Sequence, residues 1–127
     1  MTSPPQKFHF SVRDGILVLE IKDAVLNDHE QAQRIRDELL VAVTDASCDV
    51  VLDLRNVEYL TSVALLPFVE VRSAAESHGK RVVLCNLADV VAKVLTVSQL
   101  IVESSHGRYL EMADDVESAI RLLKAAN

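Results

Sequence analysis

Residues 50–79 read VVLDLRNVEYLTSVALLPFVEVRSAAESHG. The apolar run Val50-Val51-Leu52 ends in Asp53-Leu54-Arg55-Asn56. A polar-apolar link, Val57 to Leu60, follows. Thr61-Ser62 then opens a helical pattern that continues to His78 and stops at Gly79. Val50–Leu54 is apolar at nearly every position, which predicts a strand buried on both faces. Leu65, Phe68, Val69, Arg72 (through its stem) and Ala75 form the inward face of the helix by spacing. Gly79 suits the left-handed position after a helix end. Pro67 has no N–H and disfavours helix at Leu66, so either the first turn is distorted or the regular helix starts near Pro67. Thr61 and Ser62 predict an N-cap, where a hydroxyl accepts an amide hydrogen bond worth about 1 kcal/mol. The same position would welcome a phosphate, because a helix N-terminus favours negative charge.

Upstream, Phe8 to Arg13 alternates, with Phe8, Phe10 and Val12 on one side, and predicts a half-buried strand. Asp14-Gly15 is a two-residue hairpin signal, and Ile16–Ile21 returns as an apolar strand. Residues 1–7 contain Pro4-Pro5 and read as a loose tail ahead of a single domain over residues 8–125. Lys22–Asp28 is a loop. Asn27 with Glu30, or Asp28 with Gln31, offers a capping box for a helix from about His29 to Thr44. Its apolar face is Ala32, Ile35, Leu39, Ala42 and Val43.

Downstream, Arg81–Cys85 predicts a strand. Asn86 or Asp89 can cap a short helix from Val90 to about Val97. Leu100–Val102 and Arg108–Met112 are weaker strand candidates around Ser104-Ser105-His106-Gly107. The last helix carries Asp114-Asp115 at its start, the stripe Val116, Ala119, Ile120 and Leu123, and Arg121 and Lys124 near its end. A hairpin followed by alternating strands and helices implies an α/β domain: a mixed sheet with a parallel core and about four helices packed against it.

The composition excludes several functions. Of 127 residues, 13 are basic and 19 acidic, a net charge of −6, with no Trp and no basic cluster beyond Lys80-Arg81. An acidic surface repels phosphate backbones, so nucleic acid is not an expected partner. Cys48 and Cys85 are too few for a secreted disulfide framework and read as packed thiols. No apolar run reaches membrane-spanning length, and the N-terminus lacks a signal pattern, so a cytoplasmic location is expected.

No enzyme motif is complete. His29-Glu30-Gln31-Ala32-Gln33 approaches the zinc-protease helix motif, but Gln33 stands where the second His is needed. His9, His78 and His106 are dispersed, so no metal site is expected. Gly15, Gly79 and Gly107 are isolated, and no G-x-S-x-G elbow is present. Neither a catalytic residue nor a cofactor is expected.

The order of elements resembles the STAS domain, the anti-sigma factor antagonist fold. The resemblance is sharpest over residues 50–100. VVLDLRNVEYL is similar to the strand that leads to the family's signature loop. FVEVRSAAESHGKRVVLCNL is similar to the next helix, its Gly stop and the following strand. AKVLTVSQL resembles a later helix and the Leu that ends it. The family's loop reads Asp-Ser-Ser-Gly; here it is Thr61, Ser62, Val63 and Ala64. The resemblance places the usual kinase target on Val63, which accepts no phosphate. The later Gly of the family is Gln99. Some members carry the acceptor hydroxyl one place earlier, which makes Ser62, with Thr61, the candidate regulatory phosphorylation site.

The resemblance implies a non-enzymatic interaction module. Its expected partner is a kinase-type anti-sigma factor or a related signalling protein, with homodimer or scaffold assembly open. The implied contact surface is Asp23, Asn27, Asp28, Val63 and Ala64. Two other readings remain open. A receiver-like phosphoacceptor domain would use Asp53, although Ile21-Lys22-Asp23 supplies only one of the acids a hard cation needs. A small-ligand module for a lipid or nucleotide is the third, with no pocket signature in the sequence.

Overall fold

In the computed structural model, residues 8–46, 48–97 and 111–125 are described. The elements in chain order are β1 (Phe8–Arg13), β2 (Ile16–Ile21), β3 (Val25–Leu26), α1 (His29–Ala46), β4 (Val50–Asp53) and β5 (Tyr59–Leu60). A 3₁₀ turn (Ser62–Ala64), α2 (Leu65–Ser77), β6 (Val82–Cys85), α3 (Asp89–Val97), β7 (Glu111–Ala113) and α4 (Val116–Ala125) follow. The expected tail over residues 1–7 and the candidate strand at Leu100–Val102 lie outside the described residues. Of the candidate strand Arg108–Met112, Glu111 and Met112 are described and belong to β7.

The main sheet has the order β1-β2-β4-β6-β7. β1 and β2 pair antiparallel through the Asp14-Gly15 turn, where both residues have positive φ. β2, β4, β6 and β7 run parallel. The expected mixed sheet with a parallel core is what the chain forms, with four α-helices among the described residues where about four were expected.

The register sorts side chains by period two. Leu19, Leu52 and Leu84 are cross-strand neighbours and share one core with α1, α2 and α3. Val18, Val51 and Val83 form the adjacent row and share the other core with Val116, Ala119, Ile120 and Leu123 of α4. β4 and β6 are therefore covered on both faces, as their unbroken apolar runs predict.

Three expectations need correction. Val12 is 69% exposed, because β1 is an edge strand. The buried stripe of α2 is Phe68, Val71 and Ala75, with Pro67 beside it, whereas Val69 is half-buried. From Phe68, helical spacing admits the row through Val71 as well as the one through Arg72, and packing against the sheet selects the former; Pro67 sits in the first turn where no N–H is needed. Asn86 does not cap α3; it adopts φ +56° and turns its side chain to Asp53.

α2 ends in a Schellman arrangement. Gly79, at φ +71°, donates to the Glu76 carbonyl at 3.0 Å, and Lys80 donates to the Ala75 carbonyl at 2.8 Å. Asp115 caps α4 by accepting the Ser118 amide at 2.8 Å, which holds its carboxyl below the usual range.

Candidate partner-binding site

The Lys22–Asp28 segment is not a plain loop. Its Val25–Leu26 forms β3, which pairs in parallel with β5 (Val25 opposite Tyr59, Leu26 opposite Leu60). The Glu58 amide donates to the Ala24 carbonyl at 2.7 Å and the Thr61 amide to the Leu26 carbonyl at 3.0 Å. Leu26 and Leu60 anchor this small sheet in the core, while Val25 and Tyr59 remain exposed. Two segments far apart in sequence thereby meet. Continuing the register one step beyond Leu26 and Leu60 brings Asn27 alongside Thr61.

The start of α1 is fixed by Asp28 and Gln31, the second residue pair expected, although Gln31 reaches back to the Asn27 amide and not to that of the cap residue Asp28, so the reciprocal half of a capping box is missing. Asp28 Oδ2 accepts the Gln31 amide at 3.0 Å. Gln31 Oε1 accepts the Asn27 amide at 3.1 Å, and its Nε2 donates to Asp23 Oδ2 and to the Val25 carbonyl, each at 2.8 Å. Asn27 and Asp28 are exposed, and Asp23 is half-buried.

On the facing segment, Thr61 occupies the cap position of the 3₁₀ turn but makes no side-chain cap hydrogen bond. Its Oγ1 is buried without a partner, as is Asp23 Oδ1. The expected hydroxyl cap at Thr61 is thus absent; the following turn is closed instead by the Ala64 amide on the Thr61 carbonyl at 2.9 Å. Ser62 is exposed, Val63 half-buried and Ala64 buried in the core. Of the implied contact residues, Ala64 therefore presents little to a partner, and Ser62 and Val63 carry the surface at this point.

Beside Val63 a groove of about 230 Å³ runs between α1 and α2, lined by His29, Ala32, Gln33, Arg36, Leu66 and Pro67 as well. The Arg36 guanidinium reaches across it to Glu70 at 3.3 Å. Ligand pockets usually span roughly 300–1,000 Å³, so this groove suits a single side chain better than a lipid or nucleotide. The sequence reading named Val63 as a contact residue and the others except Arg36 in separate roles, but no periodicity or motif signals that α1 and α2 bring them together.

Asp53 closes β4 below this surface. It is 2% exposed, the single buried charged residue among those described. Its Oδ1 accepts the Arg55 amide at 3.0 Å and Asn86 Nδ2 at 2.9 Å, and its Oδ2 accepts Arg55 Nε at 2.8 Å. The Asp53 charge, then the hydrogen bond, raises the Arg55 guanidinium above its ordinary value. Asn56 ties the same turn to β2, donating to Glu20 Oε2 at 2.7 Å and to the Ile21 carbonyl at 3.2 Å. Burial and the neighbouring Asp53 charge push the Cys85 thiol up to about 12. A receiver-like role for Asp53 meets an obstacle here: a phosphoacceptor must meet solvent and a cation, and this carboxylate is enclosed and fully engaged. Among the described residues no three His, Cys, Asp or Glu side chains converge as a metal site.

The carboxyl end of the parallel part of the sheet thus carries two linked, exposed segments beside the hydrogen bonds that join Asp53, Arg55 and Asn86. The sequence profile of the STAS domain matches residues 7–119. The chain belongs to the STAS domain family. Its fold is similar to that of a Thermotoga maritima protein assigned as an anti-sigma factor antagonist (20% identity, 92% of this chain and 94% of that one covered, TM-score 0.77). It is also similar to RsbS of Moorella thermoacetica carrying a Ser-to-Glu substitution (20% identity, 95% and 97% covered, TM-score 0.75). A third similar structure is the Bacillus cell-fate determinant SpoIIAA in its phosphorylated form (17% identity, 91% and 98% covered, TM-score 0.61). At these identities the likeness is one of fold. No curated protein sequence matches this one. No described helix is long and apolar enough to cross a membrane.

Proposed function

We propose that this chain is a non-enzymatic signalling module that binds a kinase-type anti-sigma factor or a related regulator. The contact surface is the Asp23–Asp28 segment together with Ser62, Val63 and the first turn of α2. The observation that carries this reading is the β3–β5 pairing, which joins the two segments into one exposed ridge beside the groove at Val63. The membership of the STAS family and the likeness to anti-sigma factor antagonists support the partner class.

Val63 removes the hydroxyl that the family's kinase usually modifies, so binding at this surface is not switched there. Ser62, exposed at the start of the 3₁₀ turn, is the acceptor if a switch is retained. Its hydroxyl meets solvent, whereas the Thr61 oxygen is buried, which favours Ser62 over Thr61. The same ridge would serve a homodimer or a larger scaffold, as would the open edge and exposed Val12 of β1.

The experiment mixes the full chain with each kinase-type anti-sigma factor of the source organism. Complex formation is measured by calorimetry, and intact mass is recorded before and after ATP. The expected result is a complex that Val63→Glu and Asn27→Arg weaken. Failure to form a complex with any of them would overturn the partner assignment. A mass gain of one phosphate that Ser62→Ala abolishes would establish the shifted switch; an unchanged mass would leave constitutive binding.

A further inference from the structure

We infer that Gln31 is the positioning residue of this surface: its side-chain amide takes the place of a third strand beside β3 and holds the Asp23–Asp28 and Thr61–Val63 segments as one unit. The inference rests on the partner-binding reading for its consequence, but its geometry stands apart from any partner. The carbonyls of Ala24 and Leu26 face β5, where they accept from Glu58 and Thr61. Backbone groups alternate along a strand, so the Val25 carbonyl and the Asn27 amide face the other way. A strand of two residues with an open edge is marginal by itself.

Gln31 fills that edge. Its Nε2 donates to the Val25 carbonyl at 2.8 Å and its Oε1 accepts from the Asn27 amide at 3.1 Å. A neighbouring strand would offer this same donor and acceptor. The second Nε2 hydrogen goes to Asp23 Oδ2 at 2.8 Å. Only a side-chain amide supplies two donors and an acceptor together. An ionised Glu has no donor and would place a second negative charge against Asp23; Met has the length but neither group. Because the Thr61 amide hangs on the Leu26 carbonyl, loosening β3 also frees the backbone that presents Ser62.

The test is backbone amide exchange by NMR on the isolated full chain, in Gln31→Met and Gln31→Glu, with far-UV circular dichroism as the check on folding. In Gln31→Met the Asn27 and Thr61 amides should exchange about tenfold faster, the loss expected for hydrogen bonds of this kind. The Val51 and Leu84 amides, which exchange with the core, should keep their rates. Gln31→Glu retains the acceptor, so it should release Thr61 while speeding Asn27 less. Asp28→Ala, which removes the side-chain acceptor of the Gln31 backbone amide, should speed exchange of that amide and leave Thr61 protected. A second readout is the perturbation caused by Ser62→Glu, expected to reach the Val25 and Asn27 resonances with Gln31 present and to shrink in the Gln31→Met background. Unchanged Thr61 exchange in both Gln31 variants, or an equal Ser62→Glu perturbation in both backgrounds, overturns the inference and leaves the partner reading intact. Failure to bind any anti-sigma factor overturns the partner reading and leaves these rates as they are.

Discussion

Asn86 donates its side-chain amide to Asp53 Oδ1 at 2.9 Å, tying the turn after β6 to the end of β4. The bond accounts for the left-handed backbone of Asn86 at φ +56°, a conformation that Asn tolerates better than most residues. Asp53 also accepts twice from Arg55. Asp53→Ala strands the half-buried Asn86 amide and the Arg55 N–H together and should cost about 2–3 kcal/mol. Asp53→Asn keeps an acceptor for Asn86 and the Arg55 amide and should cost about 1 kcal/mol, since the lost Arg55 pair is half in water. Urea unfolding of the two variants measures the difference; equal losses would mean that the carboxylate, not the acceptor, matters.

Thr61 carries a buried oxygen with no partner. Replacing an unsatisfied hydroxyl by a methyl removes a desolvation penalty without breaking a bond. Thr61→Val should therefore be neutral or raise stability by about 1 kcal/mol. A loss of comparable size in a urea titration would show that the hydroxyl is bonded after all.

Gly79 closes α2 at φ +71°, and a Cβ placed there would meet nothing within 4 Å. The cost of Gly79→Ala is then backbone strain alone, about 1–2 kcal/mol, with no steric term. Thermal unfolding should show that loss, and Gly79→Asn should recover part of it, because Asn adopts this conformation more readily.

Cys85 is buried, and its thiol is pushed up to about 12, whereas Cys48 is half-buried. With a thiol reagent near pH 8, Cys48 should react first and Cys85 only on unfolding. The folded chain keeps the Cys85 proton at pH values where the unfolded chain, with an ordinary thiol pKa near 8.5, releases it. The stability contributed is present below about pH 8.5 and is lost as pH rises toward the folded value. Between about pH 9 and 11 the wild type should lose stability more steeply with pH than Cys85→Ala, by up to about 1.4 kcal/mol per pH unit.

Alternation identified β1, unbroken or nearly unbroken apolar runs β2, β4 and β6, and helical spacing the four helices, because each element must present an apolar face or lie buried on both. The resemblance alone led to Val63 as the counterpart of the family's acceptor position, an expectation that depends on a single residue. The face of α2 was misread at Val69 because its sequence is apolar on more than one side, so spacing alone fits two neighbouring faces and packing decides between them. β3 and β5 were invisible because two residues carry no period.

Sequence alone therefore determined the α/β order and the apolar runs buried on both faces of the sheet, and through the resemblance it pointed to Val63 as the counterpart of the family's phosphoacceptor. Tertiary structure decided what surrounds that position. The β3–β5 pairing, the threefold grip of Gln31, the Asp53–Asn86 bond and the unsatisfied Thr61 hydroxyl all depend on which backbone groups face each other once the register is set. Local patterns fix which faces are buried. Hydrogen bonds between groups more than thirty residues apart, such as Asn86 with Asp53, are fixed only when the parallel strands align and bring their ends together.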